Sequence, residues 1–168
     1  AIKNMENKLT RDETDPVIGN PAGDVTVVEF FDYRCGYCKQ ILPTIQKLLK
    51  IDKNVRVVYK EFPILGQQSV LAAKALLAIL LNDTHAIYKN FSDMLIKYAG
   101  PVNETILRKF AKRAGSSIEN LVSAMDSEQV NVILDKNAAL AKSLGIQGTP
   151  SFVIEDQIIR GFISENDF

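Results

Sequence analysis

Residues 30–40 read FFDYRCGYCKQ, and they hold both cysteines of a 168-residue chain, Cys35 and Cys38. The run before them, VTVVEFF at 25–31, is apolar on both faces and rich in β-branched and aromatic residues. That is the pattern of a strand at the centre of a sheet covered by helices. Cys35 then opens a helix expected to run to about Lys50, with Pro43 inside it as a source of kinking. VRVVYKEF at 55–62 supplies a second strand one β-α-β spacing further on. The reading of the Cys-Gly-Tyr-Cys motif therefore starts from a helix that follows a buried strand.

Outward from this unit, residues 67–144 read as helical, punctuated by their caps. Asp83 or Thr84 starts a helix that closes at Gly100-Pro101, and Asn103 opens one that ends near Gly115. Ser116-x-x-Glu119 has the spacing of a capping box. Ser127 begins a last helix with Val130, Ile133, Leu134, Ala138 and Ala141 on one face and Gly145 as its stop. SFVIEDQIIRGF at 151–162 reads as a hairpin turning near Glu155-Asp156, and SENDF at 164–168 as the first turn of a further helix capped by Ser164. At the other end, Ile2, Met5 and Leu9 fall at helical spacing, and DPVIGNPAGD at 15–24 reads as an irregular arm. The order β-α-β, helices, β-β gives an α/β fold.

Composition narrows the function classes. Hydrophobic residues make up 46% and charged residues 24%, enough for one domain with a core of its own, so a disulfide staple is not required. Lys+Arg and Asp+Glu both number 20, and this even balance argues against nucleic acid as a partner. No apolar run approaches the ~20 residues that span a bilayer. The opening AIKNMENKLT is polar and is no signal peptide, which fits a processed protein or a cytosolic one.

The cysteine pair admits few chemistries. Structural zinc wants four ligands, whereas the chain has two Cys and one His, the distant His85. No metal site is expected, although two thiolates could hold copper(I). Redox chemistry fits better. On the first turn of a helix, side chains at i and i+3 are neighbours at a separation that suits a disulfide. The first sulfur sits where free N–H groups and the helix dipole favour an anion, which makes Cys35 the expected exposed nucleophile. Cys38, a turn deeper, is the expected resolving thiol. Glu29, within the buried strand, is a carboxyl that should stay protonated unless paired and could exchange protons with Cys38, with Lys60 as a candidate partner. In GIQGTPSFVI at 145–154, Pro150 directly precedes a strand, and a cis Thr149–Pro150 peptide would account for it there, leaving Thr149 to present its backbone to an extended polypeptide.

VVEFFDYRCGYCKQ, VVYKEFPILG and LGIQGTPSFVI together resemble the bacterial DsbA-like branch of the thioredoxin superfamily, over about Asp24 to Phe162. The resemblance implies a thioredoxin fold with an inserted helical domain. On that basis residues 1–23 form an N-terminal arm, 24–65 the first half of the thioredoxin fold, 66–144 the helical insertion and 145–168 the second half. It implies Cys35 as nucleophile, Cys38 as resolving thiol, Pro150 as the cis-proline, and Glu29 with Lys60 as a buried charged pair near the thiols. It also implies a periplasmic or otherwise extracytoplasmic location, protein substrates with reduced or wrongly paired cysteines, a membrane redox partner and no cofactor. Within the family, the best-known oxidases carry Pro-His between the cysteines and Val before the cis-proline. Gly36-Tyr37 and Thr149 resemble instead the DsbC-type isomerases, a combination also found in the ScsC-like branch.

Without a histidine between the cysteines, one donor to the Cys35 thiolate is lost, which makes a less oxidising disulfide. The expectation is therefore an isomerase-like thiol–disulfide exchanger, with a dithiol oxidase as the alternative and a non-enzymatic chaperone or copper-binding module ranked below both. An isomerase must hold its substrate, and residues 1–14 are the candidate segment for building a homo-oligomer that does so.

Overall fold

The computed structural model describes residues 2–161. A five-stranded sheet runs in the order β1-β3-β2-β4-β5. Its strands are β1 (Val17–Gly19), β2 (Val25–Phe31), β3 (Val55–Glu61), β4 (Ser151–Ile154) and β5 (Gln157–Arg160). The central pair β2–β3 is parallel, joined by α2 (Gly36–Ile51), and the other pairings are antiparallel. Alternation along the central strands sends Val27, Val57 and Phe152 to one face, where they pack on Ile41 and Ile45 of α2. Val28, Phe30, Val58 and Val153 go to the other, where they meet Leu9 of α1 (Glu6–Thr10), Leu140 and Ala141 of α7 (Glu128–Ser143), and Leu144 just after it. This is the DsbA-type thioredoxin fold.

The helical stretch divides between the two faces. Helices α3 (Gln67–Asn82), α4 (His85–Lys97), α5 (Glu104–Ala114) and α6 (Leu121–Met125) share a core with Phe31, Tyr33 and both cysteines. Helix α7 lies on the other side of the sheet, so we draw the boundary of the helical block between α6 and α7 rather than at residue 144.

Caps at Thr84, Asn103 and Ser127 form as the sequence suggests, each side-chain oxygen accepting from the backbone N–H three residues on. The capping box at Ser116 does not form. The Ser116 hydroxyl donates to Asp83 Oδ2 (2.6 Å), and Asn120 caps α6 instead. Part of the expected irregular arm is strand β1, paired antiparallel with β3 from Val17↔Val58 to Gly19↔Arg56. The hairpin turns at Glu155, which takes φ 54°. The expected helix start at Ser164 lies outside the described residues.

The N-terminal apolar stripe is used within the chain. Leu9 is buried, and Ile2 and Met5 pack against the same core beneath the sheet. This removes those three side chains from the segment expected to drive self-association.

Candidate active site

The site forms where β2 ends and α2 begins. Asp32 turns the chain out of the strand, and the Cys35 N–H donates to the Asp32 carbonyl (2.9 Å). Cys35 is the N-cap of α2, and its sulfur accepts from the Cys38 N–H at 3.4 Å. A sulfur in the place of a capping oxygen receives an N–H of the kind that stabilises a thiolate. On its other side the Cys35 thiol donates to the carbonyl of Thr149 (3.4 Å), and the Thr149–Pro150 peptide is cis. The first turn of α2 and the loop before β4 thus converge on one sulfur from positions 114 residues apart.

The expected contrast in exposure is small: Cys35 is 6% exposed and Cys38 4%. Their surroundings differ instead. Cys35 faces the Thr149 carbonyl, whereas Cys38 lines a cavity together with Glu29 and Tyr59. Burial pushes the Cys38 thiol far above its ordinary range, and the nearby Cys35 and Glu29 add to the rise. Of the residues between them, Gly36 has nothing within 4 Å of where a Cβ would stand, and Tyr37 is 59% exposed.

Glu29 is fully buried, and its Oε2 has no hydrogen-bond partner in the protein. Burial holds its carboxyl well above the usual range, with the Cys35 charge adding to the effect. The pairing expected with Lys60 does not form. Glu29 is in register with Tyr59, and Lys60 with Phe30, so Lys60 points to the opposite face of the sheet. There its Nζ pairs with Asp15 and donates to the carbonyl of Lys8 (2.7 Å).

A carboxyl held neutral by folding has a defined signature. Its native pKa lies above the unfolded one, so its contribution to stability is full below the unfolded value and is lost as pH rises through the native value. Cys35 and Cys38 from α2 and Tyr59 from β3 are the titratable groups around it. Glu29→Gln should therefore flatten the fall in stability above the ordinary carboxylate range, by up to about 1.4 kcal/mol per pH unit across that window. Urea denaturation at a series of pH values checks this, and parallel curves would contradict it.

Three residues outside the motif also build the site. Asp32 is 1% exposed; its Oδ1 accepts from the Arg34 N–H (2.8 Å) and its Oδ2 from those of Ile64 (2.9 Å) and Leu65 (3.1 Å). It ties the cysteine turn to the loop after β3. An aspartate two residues before an amide in a tight turn is a readable signal for the first bond, but not for the other two. Tyr59 places a buried hydroxyl near Glu29, and Glu61 is a second fully buried carboxyl on the same face, held up by burial and by Asp32. Among the described residues no group of three or more potential metal ligands comes together.

Comparison with known proteins places this geometry. The family profile described as DSBA-like thioredoxin domain matches residues 26–168. A thioredoxin-like oxidoreductase from Silicibacter pomeroyi DSS-3 superposes with a TM-score of 0.87 at 42% identity, over 96% of this chain and 91% of that one. The catalytic domain of Proteus mirabilis ScsC gives 0.88 at 26% identity, over 99% and 91%. Disulfide bond formation protein D of Bacillus subtilis (strain 168) is 31% identical over 157 residues, 88% of this chain and 70% of that protein. Other curated relatives are longer: the chain spans 22% of a Na(+)/H(+) antiporter NhaA 1 from Salinispora arenicola and 58% of a Rickettsia conorii putative protein-disulfide oxidoreductase.

Proposed function

The chain belongs to the DSBA-like thioredoxin domain family, and on that footing we propose that it carries out thiol–disulfide exchange on protein cysteines outside the cytoplasm, in an isomerase-like manner. The observation that carries this reading is the Cys35 sulfur, capped by the Cys38 N–H and set against the Thr149 carbonyl before the cis-proline. The Cys35 thiolate attacks a substrate disulfide, forms a mixed disulfide and expels the other substrate sulfur as a thiolate. In reshuffling, a substrate thiolate then attacks the mixed disulfide, forms a new substrate disulfide and frees Cys35. A mixed disulfide that is not resolved by the substrate is released by Cys38, which loses its proton to Glu29 in its ionised form, attacks the Cys35 sulfur and frees the substrate thiolate. Protein substrates suit the surroundings. Tyr37, Ile64 and Leu65 are exposed apolar side chains beside the thiols, 59%, 40% and 52% accessible, which favours unfolded segments over small polar thiols. Gly36-Tyr37 offers no imidazole to the Cys35 thiolate, which supports a weakly oxidising pair.

A second reading is a dithiol oxidase recharged by a membrane partner, and the similarity to disulfide bond formation protein D of Bacillus subtilis supports its oxidase direction. A periplasmic location fits both. No helix among the described residues is long and apolar enough to cross a membrane.

Recovery of ribonuclease activity from scrambled disulfides tests the direction. The wild-type chain is expected to restore activity, Cys35→Ser to abolish recovery, and Cys38→Ala to accumulate mixed disulfides on non-reducing gels. Fast oxidation of a reduced substrate without recovery of the scrambled one would instead establish the oxidase.

A further inference from the structure

Two cations bracket the thiol pair in the chain, Arg34 directly before Cys35 and Lys39 directly after Cys38. Arg34 is exposed and Lys39 partly so. Both lean towards the connection between α4 and α5. The Arg34 guanidinium donates through Nη1 to the side-chain oxygen of Gln68 (2.6 Å), and the same oxygen accepts from the Val102 N–H (2.9 Å). The Lys39 ammonium donates to the carbonyl of Tyr98 (3.1 Å), the C-cap residue of α4. The two are near enough to repel: partial burial, with the Arg34 charge adding to it, holds the Lys39 ammonium below its usual range. Neither acceptor is a counter-ion. A side-chain amide and the end of a helix bring partial negative charge only. Among the described residues no ion pair includes Arg34 or Lys39. Asp32 stands two residues before Arg34, but its carboxylate is buried and turned onto backbone N–H groups.

We propose that Arg34 and Lys39 set substrate preference: together they receive the carboxylate of an aspartate or glutamate that lies close in sequence to the reacting cysteine of an extended polypeptide. The inference rests on Cys35 being the nucleophile towards protein disulfides. An extended chain advances ~3.4 Å per residue, so the residues flanking a cysteine joined to Cys35 come within reach of the long side chain beside it. An arriving carboxylate supplies the full negative charge that Gln68 and the end of α4 do not, and it relieves the repulsion between the two cations. Apolar residues adjoin the same place, because the Asp32 carboxylate gathers the N–H groups of Arg34, Ile64 and Leu65. The favoured segment therefore carries an acidic residue among apolar ones rather than a run of acids.

Rapid-mixing kinetics of the whole reduced chain test this. Each probe is a peptide whose single cysteine is held as a disulfide with a coloured aromatic thiol, and a glutamate, glutamine or lysine is placed in turn at each near position on either side of that cysteine. The Cys35 thiolate bonds to the peptide sulfur, the probe disulfide breaks, and the aromatic thiolate leaves with its electron pair and is read by absorbance. Each rate is divided by that of the same peptide with dithiothreitol, which removes the effect of the peptide's own charge on its disulfide. At the best position glutamate is expected to react about five- to tenfold faster than glutamine at low salt, and lysine more slowly than glutamine. Screening should bring the ratio close to one in about 1 M salt. Arg34→Lys should keep the preference, and Arg34→Glu, at an exposed position that tolerates it, should reverse the order of the glutamate and lysine peptides. Comparing peptides within one variant cancels any change in its folding or in Cys35 reactivity. A ratio near one at every position in the wild type overturns the proposal, as does a glutamate preference that Arg34→Glu leaves intact. Release of the aromatic thiolate from no peptide, or release that survives Cys35→Ser, overturns the exchange reading beneath it, a different failure.

Discussion

Lys60→Met is expected to lower stability at neutral pH by about 3–5 kcal/mol, the loss seen when one partner of a buried ion pair is removed. Lys60 is 1% exposed and its Nζ meets Asp15, whose side chain is 3% exposed. Methionine keeps most of the apolar stem, so the loss falls on the charge and not on packing. Asp15 is already pushed up to about 6 by burial, with Lys60 pulling the other way. In the wild type its contribution is therefore full below about 3.8 and lost as pH rises through about 6. Without Lys60 the carboxyl is held neutral further up the pH scale. Below about 6 the two chains share one slope, so the deficit of the variant should shrink, by about 1.4 kcal/mol per pH unit, only as pH falls from the variant's higher native value to about 6. Asp15→Asn combined with Lys60→Met should recover much of the loss, because no buried charge is then left alone. The folded fraction of Lys60→Met should exchange thiols at the wild-type rate, since Lys60 lies on the far face of the sheet. A stability deficit independent of pH would refute the ion-pair account, and a slowed exchange would restore Lys60 to the active site.

Asp32→Ala is expected to have the second largest effect, and to act on both stability and rate. Three backbone N–H groups, those of Arg34, Ile64 and Leu65, would lose a charged acceptor in a buried place. Some of those amides can turn to water, so a loss of about 2–4 kcal/mol is expected rather than three full penalties. The functional consequence follows from what the carboxylate joins. Its two oxygens hold the turn that carries Cys35 to the loop that carries Ile64 and Leu65, and small displacements of a reacting atom are costly, so thiol exchange should slow by about tenfold or more. Asp32→Asn keeps one oxygen but sets an NH2 group against the remaining donors, which places it between alanine and wild type. Denaturation together with single-turnover reduction of a peptide disulfide separates the two effects. An Asp32→Ala chain that is less stable but exchanges at the wild-type rate would reduce the carboxylate to a brace.

Features set by local chemistry were legible in the sequence. The placement of Cys35 at the start of a helix follows from a buried strand that ends four residues earlier, and the cis Thr149–Pro150 peptide from a proline set against a strand. The caps at Thr84, Asn103 and Ser127 were equally local. What was not legible depends on register and on distant contacts. Glu29 and Lys60 seemed matched because both are charged residues on neighbouring buried strands. A shift of one residue in the parallel pairing sends a side chain to the other face, and nothing in either segment fixes that shift. Strand β1 was missed because three residues between Pro16 and Asn20 carry too little pattern, and it exists because β3 offers an edge. Ser116 had the spacing of a cap, but Asp83, 33 residues away, engages its hydroxyl first. Asp32 and Tyr59 gain their importance from partners that only the folded chain brings near.

The two cysteines three positions apart also set how strongly redox state is coupled to folding. A cross-link stabilises a protein largely by shortening the wandering of its unfolded chain, and the loop closed here spans four residues, Cys35 to Cys38. By the chain-entropy relation such a loop contributes about 2 kcal/mol, against about 4.7 for a loop of a hundred residues. By that relation the bond separates the oxidised and reduced forms by less than half of what a long loop would impose. Making and breaking the bond then disturbs folding less than a long-range cross-link would, which suits repeated exchange.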